Sequence, residues 1–83
     1  MDDFILSLLP AVAQQAESLD TPFVATTLQR LIDEDDIEEE EAAYMIAFCL
    51  ADELERIDAT DTPFDLDRYQ LLLTLLPTLP ERS

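Results

Sequence analysis

Almost every side chain here that could do chemistry is a carboxylate. Eight of them occupy the nine positions from 33 to 41: Asp33, Glu34, Asp35, Asp36, Glu38, Glu39, Glu40 and Glu41. Acid–base work by carboxylates alone needs two of them facing each other across a cleft, which a short helical chain has little room to form. The stretch also lacks the central glycine and alternating ligand positions of a calcium-binding loop. Histidine is absent, so Ser-His and Cys-His nucleophile pairs are excluded and zinc lacks its usual ligands. The single thiol, Cys49, lies in an all-apolar stretch, where burial should raise its pKa and leave it inert. The expectation is a non-enzymatic protein with no catalytic residue, no metal site and no cofactor.

What the acids do instead depends on the elements that carry them. Apolar residues at Ile5, Leu8, Leu9, Val12, Ala16 and Leu19 share one helical face, with Asp2 or Asp3 as N-cap and Pro10 kinking the helix. The tetrapeptide DTPF occupies positions 20–23, placing Thr21 as cap and Pro22 at the first helical position. Val24, Leu28, Leu31 and Ile32 give the second helix its stripe. Asp36 and Glu39 have the spacing of a capping box and open a third helix. DTPF returns at 61–64 to open a fourth, which Pro77 and Pro80 close. The predicted helices are about 3–19, 22–34, 37–57 and 63–76.

The two DTPF segments stand 41 residues apart, and the same shift pairs Ile5 with Ile46, Leu9 with Leu50, Gln29 with Gln70 and Leu31 with Leu72. A duplicated hairpin would do this; so would one good helix-start sequence used twice, which is the simpler account. Glycine and asparagine are both missing, and tight hairpin turns draw on them for positive φ. The fold class is therefore all-α: one domain over residues 1–83, a small four-helix bundle built from two αα-hairpins. From Ala42 to Ala51 every residue is apolar, so that part of the third helix should be surrounded by neighbours. The LLLTLL segment of the fourth offers more apolar surface than one bundle face normally buries. Burial within the bundle is one outcome, a homodimer through residues such as Leu72 and Leu76 the other.

Against these helices the acids divide. Those at 38–41 lie near a helix N-terminus, where the macrodipole favours each by ~0.3–1 kcal/mol. Asp33, Glu34 and Asp35 lie at a C-terminus, where it does not, and Asp52, Glu53, Glu55 and Asp58 repeat the pattern on the third helix. Arg56 can pair with Asp52, Arg30 with Asp33 or Glu34, and Arg68 with Asp65, at a few tenths of a kcal/mol per exposed pair. Local energetics leaves a surplus of carboxylates. General solubility, a high-salt setting or a basic partner would each account for it.

The formal charge is −16 on 9.4 kDa. Spread over about 5,000 Å² of surface, this is roughly threefold more dilute than the charge on duplex DNA. The chain could imitate a nucleic acid only where its acids gather. Direct binding to nucleic acid or membrane is disfavoured. The longest apolar run is about half a bilayer span. The opening residues carry Asp2 and Asp3 where a secretory leader carries positive charge, so the expected setting is soluble and cytoplasmic. The expected partner is a basic protein, such as a nuclease or nucleic-acid-binding protein, with this chain as inhibitor, antidote or decoy. The residues expected to meet it are those of the 33–41 run, with Asp52, Glu55 and Asp58 as a second group.

One short segment points elsewhere. ESLDT, residues 17–21, resembles the Asp-Ser-Leu attachment motif of acyl carrier proteins, which are also small, acidic and four-helical. The resemblance implies a phosphopantetheine arm on Ser18. It covers five residues, places Glu17 where that family has Asp, and leaves only seventeen residues ahead of the serine.

Overall fold

A computed structural model describes residues 2–80. Their regular structure is all helix, in five segments: α1 (Asp3–Ser7), α2 (Leu9–Glu17), α3 (Pro22–Asp33), α4 (Glu39–Thr60) and α5 (Leu66–Leu75). The Asp2 carboxylate caps α1 by accepting from the amides of Phe4 and Ile5. The expected first helix is broken at Leu8, which ends α1 and precedes α2. Pro10, at the start of α2, has no N–H to continue the ladder from α1. α2 stops at Glu17, short of the predicted 19, so Leu19 leaves the apolar face expected of it and is 96% exposed in the connection to α3.

The two DTPF segments behave differently, so the tetrapeptide is not a helix start used twice. At 20–23, Pro22 opens α3 as expected, although the Thr21 hydroxyl donates to the Gln15 carbonyl (2.8 Å) and closes α2 instead of capping α3. At 61–64 no helix starts. α4 runs on to Thr60, Asp61 takes a left-handed conformation (φ 54°), and α5 begins only at Leu66. The cause lies in the next residue. Val24 follows the first segment, but Asp65 follows the second and caps α5 itself, accepting from the Arg68 amide at 3.0 Å.

The expected capping box at Asp36 and Glu39 does not form. Asp36 also has φ 54°, whereas an N-cap residue needs extended backbone. It belongs to the exit from α3, where the Ile37 amide reaches back to the Leu31 carbonyl (3.1 Å), and α4 starts at Glu39. Both left-handed positions are aspartates, the residue type that tolerates this region best in a chain without glycine or asparagine.

α4 packs against each of the other four helices, which explains its all-apolar centre: no residue from Ala42 to Ala51 is exposed. The core gathers Ile5, Val12, Val24, Leu31, Ile46, Leu50 and Leu73. Its largest member is Tyr69, edge-on to Phe23 and Phe64 at 5.8 and 5.7 Å, with its hydroxyl donating to Gln15 Oε1 (2.7 Å). Burial pushes the Tyr69 hydroxyl well above its ordinary pKa, and likewise pushes the Cys49 thiol up to about 12. On α5 the exposed leucines are Leu66 (44%), Leu71 (59%) and Leu75 (55%); Leu76, expected on a self-association face, is buried at 2% and Leu72 is half-buried. No helix among the described residues is long and apolar enough to cross a membrane.

Candidate functional site: an acidic end with an apolar floor

The carboxylates of the 33–41 run and of the second half of α4 fall into three situations, while Asp2, Asp3, Glu17, Asp20, Asp61, Asp65 and Asp67 are exposed outside both. The first is the one that the local spacing of charges missed. Glu53, expected among the surplus acids, is completely buried on α4 and forms the centre of a network. Its Oε1 accepts from Arg56 Nε (3.0 Å) and from an Arg68 terminal nitrogen (2.7 Å); its Oε2 accepts from an Arg56 terminal nitrogen (2.5 Å) and from the Asp65 amide (2.8 Å). Asp52, beside it, binds the other Arg68 nitrogen at 2.6 Å. The hydrogen bonds from Arg56 are the main reason the Glu53 carboxyl is held down to about 2, with the Asp65 amide and Arg68 adding to them against the cost of burial. Both arginines are correspondingly raised. Arg56 also donates to the Thr62 hydroxyl and the Pro63 carbonyl, tying the connection between α4 and α5 to the same centre.

These pairings replace the expected ones. Arg56 takes Glu53 rather than Asp52, and Arg68 reaches across to α4 rather than pairing with Asp65. Arg30 donates to the Leu73 and Leu76 carbonyls (2.9 Å each), placing a cation at the C-terminal end of α5 where the dipole favours one, and Asp35 approaches it at 3.9 Å. Asp33 accepts from Gln29 at 2.8 Å. All three described arginines thus point into the protein's own carbonyls, hydroxyls and carboxylates. A sequence signal for Glu53 was present: an acid close behind the apolar run, with arginines at 56 and 68.

The second situation is the stretch from 33 to 41. All eight carboxylates are exposed, and they run from the last residue of α3 through the connection into the first turn of α4. Glu39, Glu40 and Glu41 occupy that first turn, with Glu38 at the cap position making no capping bond. From Glu39 to Glu41 the chain carries one charge per residue, or per ~1.5 Å of helix axis, against one per ~1.7 Å along duplex DNA. No ion pair among the described residues engages Glu34, Asp36 or any of these four glutamates.

The third situation is the second group. From Glu41 to Asp52 is eleven residues of α4, and to Asp58 seventeen, or about 16 and 25 Å at 1.5 Å per residue. The apolar centre of α4 lies between. Asp52 is taken by Arg68, while Glu55 and Asp58 are exposed beyond it. The structure does not bring the two groups together.

The acidic end is more than charge. Tyr44 stands three and four residues after Glu41 and Glu40, so it shares their side of α4. Two open grooves meet on it. One is floored by Leu6, Leu9 and Ala43 and edged by Glu39 and Glu40. The other is floored by Met45 and Leu79 and edged by Glu38, Glu40 and Glu41. The Tyr44 hydroxyl accepts from the Asp2 amide at 3.4 Å, anchoring the start of α1 to α4.

Ser18 closes α2, four residues before α3 begins, and its hydroxyl accepts from the Asp20 amide at 3.1 Å. Among the described residues no three side chains of metal-ligating type converge. No protein-family model, curated protein or solved structure matches this chain.

Proposed function

We propose that this is a non-enzymatic acidic binding protein that docks on a basic surface of another protein. It would act as an inhibitor or antidote, or as a decoy imitating nucleic acid towards a nuclease or nucleic-acid-binding protein, in a soluble cytoplasmic setting. One observation carries this reading: eight exposed carboxylates sit together at one end while the described arginines are consumed inside the molecule. Asp33, Glu34, Asp35, Asp36 and the glutamates at 38–41 form the docking surface. Glu55 and Asp58 are a separate, weaker group, and Asp52 serves the Glu53 network. The scaffold is a four-helix bundle of two αα-hairpins, counting α1 and α2 as one broken helix; the packing of α2 on α3 and of α4 on α5 supports it.

The test is capture of partners from host lysate at about 50 mM and 500 mM salt, with a variant carrying glutamine at positions 38–41 alongside. Charge-driven docking is screened within ~10 Å at 0.1 M. A specific basic protein should therefore be retained at low salt and lost both at high salt and with the variant. A partner held equally in all three conditions would make the charge incidental.

A second reading is an adaptor or structural subunit that self-associates through α5, with the acids serving solubility. The exposure of Leu71 and Leu75, one turn apart, favours it. Leu71→Gln with Leu75→Gln should then convert a dimer to a monomer by sedimentation, while the 38–41 glutamines leave it dimeric.

A further inference from the structure

We infer that the acidic end selects a cationic amphipathic protein segment, one whose apolar side chains seat against Tyr44 while its Lys or Arg side chains meet the surrounding glutamates. This rests on the docking reading above and specifies its partner. Glu40 and Tyr44 border both grooves, so carboxylate and apolar floor form one continuous surface rather than two neighbouring ones. The floor is half-buried aliphatic and aromatic area, with Leu79 exposed at its edge. Such an apolar centre within a polar rim is the anatomy of a protein interface. A plain polycation would satisfy the rim and leave the floor wetted. A nucleic acid is repelled by the rim. A second copy of this chain would bring its own acids against the same ones. A basic segment with apolar residues at three- and four-residue spacing satisfies rim and floor together, in the manner of a helix laid in a groove.

The experiment uses the full chain and two labelled peptides of about 18 residues, both made of leucine and lysine in equal composition. One places its leucines on a single helical face; the other has the order scrambled so that no face forms. Affinities are read by fluorescence anisotropy at about 0.15 M salt. The amphipathic peptide should bind at least tenfold more tightly than the scrambled one. Tyr44→Ser and Leu79→Ser should each reduce that preference severalfold, and Leu19→Ser, remote from both grooves, should leave it unchanged. Circular dichroism confirms folding, and Leu79→Ser, at an exposed position near the chain end, carries the test if Tyr44→Ser fails to fold. Equal, salt-sensitive binding of both peptides overturns the anchor and leaves the charge-based docking reading standing. A preference that survives both groove substitutions places the seat elsewhere and overturns it too. If neither peptide binds even at about 20 mM salt, the docking reading itself falls.

Discussion

Removing Glu53 would leave Arg56 and Arg68 gathered around an emptied acceptor. Breaking one partner of a buried charge group typically costs ~3–5 kcal/mol, and the partial exposure of both arginines puts Glu53→Ala near the lower end, about 3 kcal/mol in chemical denaturation. The same residue sets a pH dependence. Its folded-state pKa, about 2, lies below the ordinary carboxylate value of 4.5, so the unfolded chain takes up its proton first as pH falls. The stability that Glu53 contributes is therefore complete above about pH 5 and is lost between there and pH 2. The gap in unfolding free energy between the natural protein and Glu53→Gln should close across that window; a gap constant down to pH 2 would refute the assignment. Charge spacing along one helix could not reveal this network. Arg68 reaches Glu53 from another helix, and which side of α5 faces α4 depends on helix rotation, which no local pattern states.

The helices themselves were largely readable, because apolar periodicity and the missing glycine both point to α structure. Their ends were less so. Two starts moved for local reasons: the Asp65 cap displaced Thr62, and the left-handed backbone of Asp36 displaced the capping box. The two aspartates at φ 54° supply a prediction at this scale. A residue with a Cβ costs about 1–2 kcal/mol in that region, less for aspartate, and glycine relieves it. Asp36→Gly and Asp61→Gly should each stabilise the protein by about 0.5–1 kcal/mol in thermal or denaturant unfolding. Ala at either position should destabilise it. Leu19 shows the converse limit. It fits the helical period of α2 but falls beyond the helix end, and periodicity alone cannot say where a helix stops.

At the scale of the whole molecule, the sequence located the acid run but not its setting. The apolar floor around Tyr44 joins residues from α1, α2, α4 and the segment beyond α5, and only the tertiary arrangement assembles them. Crowded like charge at one end destabilises the compact state, and salt screens it. Raising salt from about 50 to 500 mM should therefore increase the melting temperature, and glutamine at positions 38–41 should flatten that response. Stability and partner affinity would then move in opposite directions with salt, a pairing that a mere solubilising role for the acids does not produce. The inward commitment of Arg30, Arg56 and Arg68 has a last consequence. Arg56 and Arg68 are bound to Glu53 and Asp52, and Arg30 reaches the acidic end at Asp35 (3.9 Å), so sodium or potassium from the medium must gather around the remaining carboxylates in a loose atmosphere. A basic partner arriving at that surface displaces those ions, so calorimetry of the encounter should show a favourable entropy that shrinks as the surrounding electrolyte is concentrated.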